Sequence, residues 1–231
     1  MIRFSNVSFS YRQDLPVFES LNLDLTRGLT LVLGLNGCGK STLFKLAAGV
    51  EYPDSGKISI GGRDLWKEEI EARRSLAYLP EFPDLTPYAT IKEIMDLVCR
   101  LRREPLAKGD EALEFFDLAA FSVRSIRELS LGQKRRATFA AALIGRPEYV
   151  LLDEPLEALD RRIQGDVLAW MRRLVREGAV VAVISHTIEP FIDLSAMAVG
   201  LKDGKARTHG LLPENREEKS ALLERLARGD C

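Results

Sequence analysis

Two hydrophobic periods share this chain. Ile2-Arg3-Phe4 to Phe9 and Leu21-Asn22-Leu23-Asp24-Leu25 alternate apolar with polar residues, the pattern of strands buried on one face. Gly28 to Gly34 is a continuous apolar run between glycines, which predicts a strand covered on both faces. The pattern turns helical from Lys40 to Val50, breaks at Tyr52-Pro53-Asp54-Ser55-Gly56 and returns to a strand over Lys57 to Gly62. Between about Phe82 and Pro147 strand signals vanish. Thr90-Ile91-Lys92-Glu93 has the capping-box spacing and predicts a helix through Arg103, and helical periodicity recurs over Glu111 to Ala120 and Gly132 to Ile144. Strands resume at Tyr149 to Leu152 and Ala179 to Ile184, with a helix around Asp160 to Glu177 between them. A last strand near Ala196 to Leu201 and a polar helix over Glu214 to Arg228 complete an α/β core interrupted by a helical insertion.

Composition changes this picture little. The chain has 231 residues, 46% hydrophobic and 29% charged, with a net charge of -1, so no global field selects nucleic acid or an anionic membrane. The N-terminal residues Met1 to Asn6 are too polar for a signal peptide, and the most apolar stretch is too short to span a bilayer. Cys38, Cys99 and Cys231 have neither metal-ligand spacing nor the even count of a disulfide framework, and they read as reduced thiols in a cytosol-like compartment.

The chemistry concentrates in a few segments. Gly34-Leu35-Asn36-Gly37-Cys38-Gly39-Lys40-Ser41-Thr42 fits G-x-x-x-x-G-K-[ST] between a predicted buried strand and a helix, the context that this phosphate-binding motif requires. Glycines let successive backbone N–H groups wrap a phosphate, and the helix adds its positive end. In that arrangement Lys40 reaches the β- and γ-phosphates and Ser41 offers its hydroxyl to Mg²⁺. The strand Tyr149-Val150-Leu151-Leu152 ends in Asp153-Glu154. That ending suits Asp153 to hold Mg²⁺ and Glu154 to act as general base on water. Cys38 lies near a helix N-terminus, where its thiolate is favoured.

Leu129-Ser130-Leu131-Gly132-Gln133, a short way before Asp153, resembles the L-S-G-G-Q signature of ATP-binding cassette (ABC) proteins, and the resemblance covers essentially the whole chain. By itself Ser130 reads equally well as a helix cap. The resemblance implies an α/β P-loop NTPase core with a mostly parallel sheet, an N-terminal antiparallel β-subdomain and an inserted α-helical subdomain. On this reading residues 1–81 and 148–231 form the core and about 82–147 the insertion, in a single domain. It implies that two cassettes, two copies or a copy and a paralogue, sandwich two ATP molecules, with Ser130, Gly132 and Gln133 of one gripping the γ-phosphate bound by the other. Tyr11 matches the aromatic residue that stacks on adenine, Asp160 the carboxylate of the interface loop, and His186 the histidine that contacts the γ-phosphate.

Three positions depart from the family pattern. Glu81 replaces the usual glutamine in Tyr78-Leu79-Pro80-Glu81 and is expected to contact Mg²⁺ or water, Leu131 replaces a signature glycine, and Glu157 replaces a small polar residue. The function implied is the Mg²⁺-dependent ATPase subunit of a membrane transporter, peripheral on the cytoplasmic face, with separate transmembrane permease subunits and no nucleic-acid partner. Glu81, the compact size and the lack of a long C-terminal regulatory domain lean towards export. The alternative is a soluble ABC ATPase of an assembly system such as iron–sulfur cluster biogenesis. A small-molecule kinase would leave the signature, Asp160 and His186 together unexplained.

Overall fold

A computed structural model describes residues 1–12, 14–82 and 86–230. Cys231 therefore lies outside the described residues. The chain divides into two units: Met1–Tyr78, Glu148–Pro155 and Trp170–Cys231 form the first, and Leu79–Pro147 with Leu156–Ala169 the second.

The first unit holds two sheets. One has the order β2-β1-β4-β5, from β1 (Ile2–Arg12), β2 (Leu15–Leu25), β4 (Ser55–Ile60) and β5 (Arg63–Asp64), and all its pairings are antiparallel. The other has the order β10-β9-β3-β8-β7-β6. Its middle strands β3 (Gly28–Leu33), β7 (Tyr149–Asp153), β8 (Val180–Ile184) and β9 (Ser195–Lys202) pair in parallel, while β10 (Lys205–His209) is antiparallel to β9. The unbroken apolar runs account for the centre of this sheet, since all five residues of both β7 and β8 are buried.

Helix α1 (Lys40–Ala48) is apolar nearly all round because its neighbours cover it on more than one side. Its Leu43, Phe44 and Leu46 join Phe4 and Phe18 of the first sheet and Val32, Leu151 and Ala182 of the second in one core. Helix α7 (Arg216–Ala227) is capped by Asn215, whose side chain accepts from the N–H groups of Glu217 and Glu218. Four elements had no sequence signal: the two-residue β5, the short helix α2 (Glu69–Arg73), β6 (Leu76–Leu79), only four residues long, and β10, a largely exposed edge strand.

The second unit is helical, as the silence of strand signals there anticipated. Thr90 caps α3 (Ile91–Arg102) in a full capping box with Glu93. Met95 and Cys99 of α3 are buried, as are Ala112 and Leu113 of α4 (Ala107–Phe115). Phe116 stacks on Phe139 of α5 (Leu131–Leu143) with centroids 5.9 Å apart. Arg102 closes the far end of α5 by donating to the carbonyls of Ala142 and Ile144. Leu79, Pro80 and Glu81, placed with the core in the sequence reading, belong to this unit, and so does the segment Leu156–Ala169. The physical reason for the first of these is Arg135 on α5, whose Nη1 donates to the carbonyls of Pro80 and Glu81.

Candidate functional site

In the first unit β3 delivers the chain into the loop 34–39 and α1 takes it out. Gly34 and Gly39 are required by this path. Gly34 has φ +149°, and a Cβ there would lie 2.4 Å from the Leu201 carbonyl oxygen. Gly39 has φ +99°, and its Cβ would meet Phe18 and Val17 at 2.9 Å. Leu35, Asn36 and Gly37 form the exposed crest of the loop, while Cys38 is half-buried. Lys40 folds back over it, its Nζ donating to the carbonyls of Gly34 and Leu35 at 2.9 and 3.0 Å. A full positive charge thus stands over the loop at the amino end of α1, where the helix dipole adds to it. Ser41 is half-buried in the first turn of α1, and Thr42 is buried.

Tyr11 closes the side of this loop. Its hydroxyl and the Thr42 Oγ1 are 3.3 Å apart, and its ring meets Phe9 edge-on with centroids 4.8 Å apart. More than half of the residue stays exposed beside the loop, at 53%, with the Lys45 ammonium over the ring 5.9 Å from its centroid. A cavity of about 560 Å³ opens there, lined by Tyr11, Val17, Asn36, Cys38, Asp203 and others.

Parallel pairing brings the remaining groups to the same sheet edge. Strand β7 pairs with β8 and β8 with β3, all in one direction, so the carboxyl ends carrying Gly34, Asp153 and Ser185-His186 are neighbours. Asp153 is 2% exposed and Glu154 8%. Glu154 leaves the strand with φ +48°, a left-handed turn that costs a non-glycine residue about 1–3 kcal/mol. That turn aims its carboxylate at the end of β8, where Oε1 accepts the His186 N–H at 2.8 Å and Oε2 the Ser185 hydroxyl at 3.3 Å. The His186 Nε2 is 3.7 Å from the same Oε1, on an imidazole that is largely exposed. Burial pushes the Glu154 carboxyl above its ordinary pKa, against the opposing pull of His186 and its hydrogen bonds. Tyr78, also in this unit, is pushed up by burial and by the Asp153 charge.

The second unit carries the other positions. Ser130 is the N-cap of α5, its Oγ accepting from the Gln133 N–H at 3.3 Å while the Gln133 Oε1 accepts from the Ser130 N–H at 2.9 Å. The helix-cap reading of Ser130 is thus met by the local geometry, and the N–H groups of Leu131 and Gly132 form the amino end that follows. Leu131 is 59% exposed, so the bulk that replaces a glycine crowds nothing. Gly132 is tighter, because a Cβ there would lie 3.2 Å from the Ala158 carbonyl oxygen. Asp160 accepts the Ile163 N–H at 3.0 Å at the start of α6 (Arg161–Arg176), and that bond holds its carboxyl below the ordinary range. Glu157 is exposed and Glu81 half-buried. In the sequence the basic run Lys134-Arg135-Arg136 reads as a solvated helix face, but Arg135 is only 3% exposed, because its guanidinium turns inward to backbone carbonyls.

Comparison with known proteins gives these residues a family. The profile of the family described as ABC transporter matches residues 18–157. A sulfate/thiosulfate import ATP-binding protein of Gloeobacter violaceus is 34% identical over 215 residues, which are 90% of this chain and 62% of that protein. A spermidine/putrescine import ATP-binding protein of Marinobacter nauticus is 33% identical over 212 residues, 90% of this chain and 57% of the relative. The chain spans about three fifths of the length of these curated relatives. A solved ATP-binding subunit of an ABC transporter superposes with TM-score 0.83 at 26% identity, covering 91% of this chain and 90% of the other. The dimeric structure of a bacterial ABC transporter cassette gives 0.82 at 24% identity, covering 92% and 100%, a likeness of fold. The family profile covers more than half of the chain and the phosphate loop, signature and Asp153-Glu154 all fall within it, and on that ground this chain belongs to the ATP-binding cassette (ABC) transporter family.

Proposed function

We propose that this chain is the Mg²⁺-dependent ATPase subunit of a membrane transporter, which closes on a second cassette around two ATP molecules and drives separate membrane-spanning subunits. The observation that carries the reading is the gathering of the phosphate loop, Asp153, Glu154 and His186 at the carboxyl ends of β3, β7 and β8 in one unit.

In this reading Tyr11 stacks on adenine and residues 34–42 hold the phosphates, with Lys40 on the β- and γ-phosphates. The oxygen donors Ser41, Asp153 and Glu81 suit a hard cation such as Mg²⁺. No group of three or more His, Cys, Asp or Glu side chains among the described residues could hold a metal alone, which fits an ion that stays partly on phosphate and water. When bound, Mg²⁺ supplies neutralisation of the phosphate charge. Glu154, raised in pKa yet hydrogen-bonded as an acceptor, takes the proton of the attacking water. His186, beside it, orients the γ-phosphate. Ser130, Gly132 and Gln133, at the amino end of α5, and Asp160 face the nucleotide of the second cassette.

The partner reading has separate support. The second unit leaves Tyr88, Leu97 and Leu101 between 55% and 75% exposed, apolar surface of the kind that partner subunits cover. No helix among the described residues is long and apolar enough to cross a membrane. Both relatives named above are import ATP-binding proteins, so the lean towards export finds no support.

Two measurements bear on these claims. Tyr11→Ala is expected to weaken ATP binding by about 5- to 150-fold, because stacking contributes about 1–3 kcal/mol per base. Its thermal stability should barely change, since the ring is half exposed; an unchanged affinity in a fluorescent-nucleotide titration would remove Tyr11 from the site. Purification of the tagged full chain from solubilised membranes should bring down a multi-span membrane protein. Retention instead with soluble cluster-assembly proteins would overturn the transporter role and leave the ATPase reading standing.

A further inference from the structure

Arg135 is 3% exposed on α5, although guanidinium groups seldom lie so deep without a dedicated set of acceptors. Its Nη1 donates to the Pro80 carbonyl at 2.7 Å and also to the Glu81 carbonyl. These carbonyls follow the end of β6, where the strand ladder no longer supplies partners and an unmet backbone oxygen is costly. Arg135 lies less than one turn beyond Gly132, and the turn before it is locked by the Ser130–Gln133 capping box. The neighbouring Arg136 ties the same helix to the Phe116 carbonyl at 3.2 Å. The guanidinium presents its donors in one rigid plane. The Pro80 ring further limits how the held segment can turn. The backbone of Glu81 is thereby fastened to the helix whose first turn is the signature.

We infer that Arg135 is a positioning residue for ATP hydrolysis: it makes the Glu81 backbone move with the amino end of α5, so that capture of a γ-phosphate at Ser130 and Gly132 sets where the Glu81 carboxylate stands. The inference rests on the ATPase reading above and adds to it the route by which the signature acts on Glu81. Replacing a purely structural arginine by Met would leave the two carbonyls unmet and lower stability, yet the molecules that still fold would keep the wild-type turnover and Mg²⁺ requirement. Replacing a positioning arginine would change one or both.

The test compares Arg135→Met, Arg135→Lys, Glu81→Ala and the double variant Arg135→Met/Glu81→Ala with wild type. ATP affinity in EDTA, turnover, and the free Mg²⁺ giving half-maximal turnover are measured for each. Arg135→Met is expected to lower turnover or raise the Mg²⁺ requirement by about tenfold, the weight of one charge-assisted hydrogen bond, with EDTA-measured affinity within about twofold of wild type. Glu81→Ala should show the same defect, and adding Arg135→Met to it should cost no more than about twofold further. Arg135→Lys, which keeps a charged donor, should fall between wild type and Arg135→Met and carries the comparison if Arg135→Met does not fold. Losses that multiply in the double variant, a harmless Glu81→Ala, or wild-type behaviour of both Arg135 variants would overturn the positioning role while wild-type turnover preserves the ATPase reading. A wild-type chain without Mg²⁺-dependent turnover would remove both.

Discussion

Glu154→Gln is expected to lower ATP turnover by about 10²- to 10⁴-fold, the usual contribution of a positioned general base, while leaving nucleotide affinity intact. The amide keeps the shape of the side chain and can still accept the His186 N–H that Glu154 Oε1 accepts at 2.8 Å. What it loses is the ability to take a proton. The variant should therefore accumulate as an ATP-bound dimer, visible by light scattering after gel filtration with MgATP. Near-normal turnover would remove Glu154 from the role of base.

The pH dependence of wild type carries the same assignment. Burial raises the Glu154 pKa, and the base works only when ionised. Turnover should thus fall on the acid side at a pH above the ordinary carboxylate range. The sign for stability is opposite. A raised folded-state pKa gives stability that is present below the unfolded value and lost as pH rises through the folded one. Glu154→Gln removes that loss, so at neutral pH the variant should melt no lower than wild type. A clear drop in its melting temperature would show that the ionised carboxylate stabilises the fold, contrary to the direction of the shift.

Lys40→Ala should produce the second large effect, this time on binding. A charge-assisted hydrogen bond contributes about 1.5–3 kcal/mol. ATP affinity measured by calorimetry should accordingly drop by roughly 10- to 100-fold. The fold should tolerate the change better than the ligand does. Lys40 is only half-buried, and the Gly34 and Leu35 carbonyls that it serves belong to a loop with an exposed crest. Water can replace a neutral partner there at about 1 kcal/mol. Unchanged affinity would mean that the loop holds no phosphate. The two variants should separate cleanly, the Lys40 change read in affinity and the Glu154 change in turnover.

Much of this site was legible because its parts are contiguous. Glycines, Lys40 and Ser41 lie within one motif, and Asp153-Glu154 ends an apolar run whose burial on both faces was already implied by its composition. The capping residues Thr90 and Asn215 act within a single turn, and the Thr90 box was readable from spacing alone. The four residues of β6 are too few to show a period, and the exposed β10 gave none because an edge strand with little buried surface needs no alternation.

The chain alone marked the candidate phosphate loop, most of the strands and helices, and the candidates for base and cation ligand, because each depends on neighbours within a few residues. Only the tertiary structure decided what those candidates meet. Parallel pairing of β7 with β8 set the Glu154 carboxylate against the His186 N–H, 32 positions away, and the packing of α5 put a buried guanidinium on the carbonyl of Pro80, 55 positions before it. Such contacts leave no local periodicity, for their partners are chosen by topology and by the need to satisfy buried polar groups, not by spacing along the chain.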